Sequence, residues 1–468
     1  MSLLDVSDIR PFRLKKEDYD EGFADAAPLL TKGQALLEAE RCLYCYDAPC
    51  VHACPTGIDV PTFIHRIADG NLRGAARTIL DANPLGATCA RVCPTEELCE
   101  SVCVRVKQEG RPVEIGRLQR FAVDLALAQA GAPLYVRGAD SGRRVAIVGA
   151  GPAGLACAHL LARLGHAVTI FDARPKSGGL NEYGLATYKM TGDYAQRELA
   201  WLLEIGGIEI VNDWRLQTPE QLAALRHDYD ALFLGIGLSS VHRLGIPGED
   251  LPGVRDAVDF IADLRQADNV AALPIGRRVV VVGGGMTAID AAVQARLLGA
   301  ESVSIVYRRG PESMPASSVE REWAQTRGVN FLHWLAPEEI IGHRDRLVAV
   351  RFARQRHENG DLVYTGEDET LPCDMLFKAI GQRLGPEIWT ASELALERGR
   401  LKVDAEGRTS LPGVWAGGDC CHGGRDLTVE AVEDGKRAAR SIASHLAALE
   451  PGARGAPPDA APTLKAES

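Results

Sequence analysis

The sequence lacks any apolar run long enough to cross a membrane, because no run approaches the ~18–20 residues that a spanning helix needs. It also lacks an excess of positive charge, since 52 lysines and arginines against 63 aspartates and glutamates leave a net charge of −11. Binding nucleic acid without sequence preference requires a basic surface, so the composition argues against that class of protein. The first residues show no charged segment followed by an apolar one, and we therefore expect a cytoplasmic protein without a secretion signal.

Cysteine is scarce over most of the chain and dense in one stretch. Eight of the 12 cysteines lie between residues 42 and 103. The remaining four are Cys157, Cys373, Cys420 and Cys421. Thiols stay reduced in the cytosol, so this density favours metal ligation over disulfides.

The eight clustered cysteines form two runs with short spacings. Each run contains a Cys-Pro pair, at Cys54 and at Cys93. Short spacings let several thiolates converge on one iron–sulfur cube, and in bacterial ferredoxin runs the Cys before Pro ligates the other cluster. Structural zinc is the alternative, but it usually pairs two CxxC units, and only Cys42 and Cys45 have that spacing. The spacings favour two [4Fe–4S] clusters, with Cys89 as the least well placed thiol.

The first dinucleotide-binding pattern begins at a short apolar strand over residues 145–148. It continues into the turn Gly149-Ala150-Gly151-Pro152-Ala153-Gly154, an apolar helix and a second strand that ends at Asp172. The glycines allow a tight turn, close approach of a pyrophosphate and helix–strand packing, while the helix N-terminus offers free N–H groups to the phosphates. Asp172 follows the first glycine by 23 residues, where a carboxylate can bind ribose hydroxyls.

A downstream segment indicates which dinucleotide this turn binds. A strand over residues 413–418 ends at Asp419, and a helix begins at Thr428. This arrangement resembles two-dinucleotide flavoproteins, in which such an Asp meets the ribityl chain of FAD and the helix N-terminus faces the flavin. The resemblance implies FAD, and a surface turn without a ligand is the alternative. No CxxxC or CxxxxC pair lies beside the flavin, where disulfide reductases carry one, and adjacent cysteines such as Cys420 and Cys421 rarely form an unstrained bridge.

A second dinucleotide turn follows the strand at 279–282 and predicts a nicotinamide nucleotide site. Its next strand is followed by Arg308 and Arg309, with no acidic residue at the strand end. Two guanidiniums favour a 2′-phosphate through charge-assisted bonds, so the pattern favours NADPH over NADH, with a solvated surface pair as the alternative. The residues predicted to bind NAD(P) are Gly283, Gly284, Gly285, Thr287, Arg308, Arg309 and Gly381.

The chain is therefore predicted to be an α/β protein in which a helical iron–sulfur domain precedes two interleaved Rossmann-like dinucleotide-binding domains. We place the helical domain at 1–137 and a discontinuous FAD-binding domain at 143–265 and 375–450. The NAD(P)-binding domain falls at 266–374. Residues 451–468, rich in Pro, Ala and Gly, are expected to be a disordered tail.

The paired cysteine runs, both turns and the segment Gly178-Gly179-Leu180-Asn181-Glu182-Tyr183-Gly184 resemble the glutamate synthase small-subunit family over about residues 35–448. Within that family, the chain resembles the dihydropyrimidine dehydrogenase branch at position 119. It has Gln119 there, as that branch does, whereas glutamate synthase relatives tend to have Glu. The resemblance implies FAD contacts at Gly179, Leu180 and Lys189. It also implies two ligand sets, the first Cys42, Cys45, Cys50 and Cys103, and the second Cys54, Cys93, Cys99 and Gln119. A helix-surface role is the alternative for Gln119.

The resemblance further implies an electron relay from NAD(P)H through FAD and the two clusters to an FMN-containing catalytic subunit that reduces uracil or thymine. The assembly would be a hetero-oligomer, for example a heterotetramer, and no protein side chain is expected to act as catalytic acid or base. Nucleic-acid and membrane partners are not expected. The alternatives are a glutamate synthase small subunit, a stand-alone NADPH:ferredoxin-type oxidoreductase, and a zinc-stabilised nucleotide sensor.

Overall fold

The N-terminal part of the molecule is helical, which confirms the pattern in its sequence. The computed structural model describes residues 8–128, 133–358, 360–385, 389 and 392–449, so the predicted tail at 451–468 lies outside the described residues. The elements are β1 (Ile9–Arg10), α1 (Lys16–Gly22), α2 (Lys32–Glu40), α3 (Pro49–His52), α4 (Val60–Ala68), α5 (Leu72–Ala82), α6 (Gly86–Val92), α7 (Val104–Glu109) and α8 (Ile115–Ala128), with a 3-10 turn at Thr95–Glu97.

Local side-chain caps fix where these helices begin. Thr31 accepts a hydrogen bond from Gln34 N and Gln34 bonds back to Thr31 N, which forms a capping box before α2. The side chains of Asp59 and Asn71 cap the N-termini of α4 and α5, because each accepts a hydrogen bond from a backbone N–H of the first helical turn. The apolar faces of α2, α4, α5 and α8 then pack together around fully buried Phe63 and Leu118.

The first dinucleotide-binding unit follows as alternating strands and helices. Its elements are β2 (Arg144–Val148), α9 (Pro152–Arg163), β3 (Ala167–Phe171), α10 (Leu180–Tyr183), α11 (Tyr194–Leu203), β4 (Ile208–Val211), α12 (Pro219–Asp228), β5 (Ala231–Leu234) and β6 (Ser240–Val241). The chain returns to this unit near its end with β16 (Gln382–Arg383), β17 (Leu396–Glu397), β18 (Arg400–Leu401), β19 (Val414–Ala416) and α16 (Thr428–Ala447). The central sheet is parallel, in the order β19-β5-β2-β3-β4.

The second dinucleotide-binding unit repeats this plan. Its elements are β7 (Val254–Asp256), α13 (Ala257–Gln266), β8 (Ile275–Gly276), β9 (Arg278–Gly283), α14 (Met286–Leu297), β10 (Ser302–Tyr307), α15 (Ser318–Thr326), β11 (Val329–His333), β12 (Leu335–His343), β13 (Arg346–Glu358), β14 (Asp361–Pro372) and β15 (Met375–Ala379), with 3-10 turns at Val270–Ala272 and Pro311–Ser313. The parallel sheet has the order β11-β10-β9-β15-β7, and β12, β13 and β14 form an antiparallel sheet beside it. The two parallel sheets with their crossover helices confirm the predicted α/β class.

The border between the two units differs from the prediction of 266–374 for the second unit. β15 pairs in parallel with β9 on one side and with β7 on the other, so Val254–Asp256 and Met375–Ala379 both belong to the second sheet. The second unit therefore extends over about residues 254–379. The apolar run Met375-Leu376-Phe377 would be buried equally well in either parallel sheet, so its sequence does not reveal which sheet it joins.

The start of the chain also departs from the predicted helical domain at 1–137. β1 pairs antiparallel with β8 of the second unit. On α1, buried Tyr19 joins the hydrophobic core of that unit and its hydroxyl donates to Leu298 O at 3.4 Å. Residues 8–23 are thus an N-terminal strap over the second unit, and the helical domain proper begins after them. Within the described ranges, every helix is too short or too polar to span a bilayer.

A buried carboxylate lies in the connection between the two units. Glu249 accepts hydrogen bonds from Leu244 N and Gly245 N, both at 2.9 Å, and pairs with Lys378 Nζ at 3.0 Å. Burial alone would raise the pKa of Glu249, but these donors outweigh it and lower the pKa to about 2. The connection is therefore held in place by a carboxylate that is ionised at neutral pH.

We expect Glu249→Gln to destabilise the protein by about 3 kcal/mol at pH 7, the free-energy equivalent of the lowered pKa. Because the folded-state pKa is below the unfolded value of ~4.5, the stabilisation is present above that pH and disappears as the pH falls toward about 2. Urea unfolding of both proteins between pH 7 and pH 3 measures this, and a difference that stays constant over that range would contradict it.

Candidate functional site

Four cysteines surround one cavity in the helical domain. Its lining contains Cys42, Cys45, Cys50 and Cys103, and no cysteine outside this set. Cys42 and Cys45 lie in the loop after α2, Cys50 lies on α3 and Cys103 precedes α7. The remaining lining is mostly apolar, with Leu43, Val60, Ile64, Val102 and Ile115 among its members. The structure thus brings together the first ligand set that the family resemblance implies.

The electrostatics of this cavity suit a cationic group. Burial, reinforced by neighbouring thiolates, raises the pKa of Cys42 and raises that of Cys50 to about 12. Iron binds thiolates, so the ionised set needs compensating positive charge, which a cluster supplies. In the described part of the chain, no group of three or more His, Cys, Asp or Glu side chains is arranged to hold a single metal ion.

The cysteines of the second set are half-buried, like those of the first. A hydrogen bond with Cys89 and burial raise the pKa of Cys93 well above its usual value, and the Cys99 and Cys54 thiolates add to this. Burial is also the main cause that raises the pKa of Cys99. The negative charges of Glu100, Cys54 and Cys50 raise it further, in that order. Thiols of both sets therefore influence Cys99, which places the two sets next to each other. Cys89 is a buried neighbour of Cys93 that sequence reasoning left without a role.

Gln119 lies on α8, buried beside the start of α6. Its Nε2 donates to Gly86 O at 2.6 Å. This bond fixes the orientation of the amide and leaves Oε1 as the atom that could bind iron. Helix α6 runs from Gly86 to the residue before Cys93. Gln119 therefore contacts the first residue of α6, and Cys93 directly follows its last residue.

The first dinucleotide turn shows why it contains three glycines. Gly149 has φ of 101°, and a Cβ on Gly154 would lie 1.9 Å from Gly149 O, so both are required by the turn itself. Gly151 differs, because its φ of −78° suits any residue and a Cβ there would meet only Gly179 Cα, at 3.8 Å. The protein has room for a side chain at Gly151, so its absence fits a ligand that approaches the backbone closely.

Other predicted FAD residues converge on this turn. Gly178 N donates to Ala150 O, which lays the loop containing Gly179 and Leu180 over the turn. Asp172 accepts from Ala150 N at 2.6 Å and from Arg174 N at 2.8 Å, so its carboxylate also braces the turn. A Cβ on Gly418, at the end of β19, would lie 3.1 Å from Ala153 Cβ, which brings Asp419 to the same place. Thr428, at the start of α16, bonds to Asn181 of the overlying loop.

Asp419 is held in a largely buried, acidic environment. Burial raises the pKa of Asp419 to about 6, with Asp426 contributing and Arg400 opposing. Beside it, Cys420 and Cys421 are both buried and their Sγ atoms lie 3.9 Å apart. A disulfide bond is about 2.05 Å long, so these thiols are separate.

In the second dinucleotide turn, too, two glycines are required by the backbone and a third leaves open space. Gly283 has φ of 149°, and a Cβ on Gly284 would lie 2.6 Å from the Tyr307 ring, so both are structural. Gly285 is extended and a Cβ there would meet nothing within 4 Å. Thr287 follows on the first turn of α14, and Gly381 lies after β15. Arg308 and Arg309 are exposed at the end of β10, where the adenosine ribose of a bound nucleotide would lie.

Lys189, predicted near FAD, lies between the two dinucleotide units. Its Nζ bonds to Asp290 on α14 at 2.8 Å and to Glu320 on α15 at 2.6 Å. Burial would lower the pKa of Lys189, but Asp290 and Glu320 overcome it and raise the pKa well above its usual value. Lys189 therefore remains charged where the first unit contacts α14 and α15 of the second unit. Sequence reasoning missed Asp290, although it lies one helical turn after the second glycine turn.

Helix α16 connects the FAD site with the second cysteine set. Its Val429, one residue after Thr428, packs with Cys89 and Leu98 and is bordered by Cys93 and Leu427. The first cysteine set lies farther out, beside half-exposed Leu43 and Val102 and near almost fully exposed Tyr46. The second set is thus next to the FAD site and the first set next to solvent.

The open space at two glycines yields a paired prediction. Gly151→Val should fold normally but lose at least about tenfold of its FAD affinity, because a side chain there blocks pyrophosphate bonds to the backbone. Gly285→Val should keep FAD and lose reduction by nicotinamide nucleotide. Flavin absorbance per polypeptide and anaerobic bleaching by NADPH measure the two effects, and a full flavin content in Gly151→Val would refute the assignment.

Comparison with known proteins agrees with this geometry. Residues 143–435 match the family described as pyridine nucleotide-disulphide oxidoreductase, and residues 19–130 match dihydropyrimidine dehydrogenase domain II, 4Fe-4S cluster. The solved structure of Mycobacterium tuberculosis FprA in complex with NADPH shares the fold over 65% of this chain and 85% of its own, with a TM-score of 0.53 and 22% identity.

Curated relatives cover nearly the whole chain. The glutamate synthase [NADPH] small chain of Halomonas elongata is 34% identical over 93% of this chain and 95% of the relative. The NAD-dependent dihydropyrimidine dehydrogenase subunit PreT of Salmonella typhimurium is 35% identical over 92% of this chain and 98% of the relative. The chain is an NAD(P)H-dependent oxidoreductase with flavin-binding and iron–sulfur regions. It belongs to the pyridine nucleotide-disulphide oxidoreductase family, in the group with an N-terminal 4Fe-4S domain that includes glutamate synthase small chains and dihydropyrimidine dehydrogenase subunits.

Proposed function

We propose that this chain is the electron-input subunit of a dihydropyrimidine dehydrogenase. It oxidises NAD(P)H and passes electrons through FAD and two [4Fe–4S] clusters to an FMN-containing subunit that reduces uracil or thymine to the dihydropyrimidine. The observation that carries the relay is the order of sites, from the FAD turn along α16 to the second cysteine set and then to the outer set. The assembly would be a hetero-oligomer in the cytoplasm.

FAD held at the turn that contains Gly151 would supply a two-electron acceptor for hydride and a one-electron donor for iron–sulfur clusters. The chain's own residues hold the partners in place. The turns at Gly151 and Gly285 admit the two pyrophosphates, and the ion pairs of Lys189 with Asp290 and Glu320 join the two units at the site of hydride transfer. No side chain is needed as a general acid or base in this step.

NADPH is the proposed nucleotide. Arg308 and Arg309 are exposed at the end of β10, and no acidic residue replaces them there. The relatives are divided, since one is named for NADPH and another for NAD.

The glutamate synthase small subunit is the second candidate, favoured by the 34% identity to the Halomonas protein. Gln119 favours the first candidate, because its amide is buried against α6 and has an oxygen free to bind iron. The stand-alone reductase is less well supported, because two relatives that match over 92–93% of this chain are named as a small chain and as a subunit.

The proposal is tested by an assay of the purified chain mixed with an FMN-containing dihydropyrimidine dehydrogenase catalytic subunit, under anaerobic conditions. Uracil-dependent oxidation of NADPH is the expected result, and the same assay with NADH decides the nucleotide preference. Turnover with glutamine and 2-oxoglutarate in the presence of a glutamate synthase large subunit, without uracil turnover, would establish the second candidate instead.

Gln119→Ala tests the second cluster directly. Iron content is expected to fall toward about half, with one of two electron paramagnetic resonance (EPR) signals lost or altered, while FAD stays bound. Gln108→Ala, at an exposed glutamine of the same domain, is the control. Two unchanged cluster signals in Gln119→Ala would rule out the ligand role.

A further inference from the structure

Lys436 is a buried cation that the proposed relay does not use. It lies on α16 with its side chain 6% exposed. Its Nζ donates to Ala82 O, at the C-terminal end of α5, and pairs with Glu433 Oε2 at 2.6 Å. A helix C-terminus favours a cation, so the ammonium is stable there despite its burial. It therefore joins the FAD-binding unit to the helical domain.

The helix that carries this ammonium also borders the second cysteine set. Burial, with Arg440 adding to it, lowers the pKa of Lys436 overall, while Glu433 and then the Cys54 thiolate oppose the shift. Val429 on the first turn of α16 already touches the surroundings of Cys93. One helix thus presents its start to the FAD site and a buried positive charge to the adjacent cysteine set.

The other cation at Glu433 is in a different environment. Arg440 bonds to Glu433 Oε1 at 3.1 Å, but its side chain is 58% exposed. Exposed charges are screened by water and salt, whereas a buried charge acts through a less polar medium. Lys436 and Arg440 therefore share one carboxylate and differ in burial, which makes them a matched pair.

We propose that Lys436 is an electrostatic positioning residue that raises the reduction potential of the second cluster and so favours electron transfer out of the flavin. This rests on the proposed function. An electron that leaves the reduced flavin and enters this cluster adds one unit of negative charge beside Cys54. A buried ammonium stabilises that added charge, and the Glu433 carboxylate, also held by Arg440, does not cancel it.

The test is a spectroelectrochemical titration of the full chain, purified anaerobically with its cofactors. The second cluster is identified as the EPR signal that Gln119→Ala alters. In Lys436→Met this signal should shift to a more negative potential, with its reduced-to-oxidised ratio at the wild-type midpoint falling on the order of tenfold, the size of effect that loss of one poorly screened charge produces. Lys436→Arg should restore the wild-type value, and Arg440→Gln should leave it nearly unchanged.

Glu433→Gln provides an independent arm if Lys436→Met loses its clusters. Removing the carboxylate should shift the same signal to a more positive potential. If the potential of the second cluster is unchanged in Lys436→Met, Lys436 only joins the two domains and the inference is overturned. If Lys436→Met loses its clusters, an unchanged potential in Glu433→Gln overturns it in the same way. Wild-type protein without iron would instead defeat the proposed function itself, so the two failures are distinguishable.

Discussion

The structure depends on a single electrostatic constraint, which is that buried thiolates need positive charge. Cys42 and Cys50 lie in an apolar cavity, and burial together with neighbouring thiolates raises the pKa of all four of Cys42, Cys50, Cys93 and Cys99. A protein interior that contained only protonated thiols would not need the short loops that bring these sulfurs together. Iron of the 4Fe-4S domain satisfies the constraint, and the two proposed clusters would account for the way α2 to α8 bring the cysteines together in two sets.

A second requirement is that the domains meet at fixed places. Glu198 on α11 accepts hydrogen bonds from Ala87 N and Thr88 N at the start of α6, while Lys436 on α16 binds the end of α5. The flavin-binding unit therefore holds both sides of the turn between α5 and α6. Because α6 ends just before Cys93, these hydrogen bonds fix the position of the second cysteine set relative to the FAD site.

The sequence was informative where chemistry is local. A glycine turn between apolar strands depends only on residues close to it in sequence, and so does a run of closely spaced cysteines. The α/β class and the two dinucleotide turns could therefore be predicted. The borders could not, because Met375–Ala379 is buried on both faces and fits either sheet. Glu198, Lys436 and the partners of Lys189 were missed for a related reason. Their partners are distant in sequence, and no local pattern identifies a charged side chain that is buried by another domain.

The N-terminal strap has a practical consequence for dissecting the molecule. β1 covers the edge of β8, and Tyr19 fills part of the second unit's core. The iron–sulfur match begins only at residue 19, so a shortened protein cut at that border would leave the backbone of β8 unpaired. Unpaired strand edges recruit strands from other molecules, and such a fragment would be prone to self-association for reasons unrelated to its redox centres.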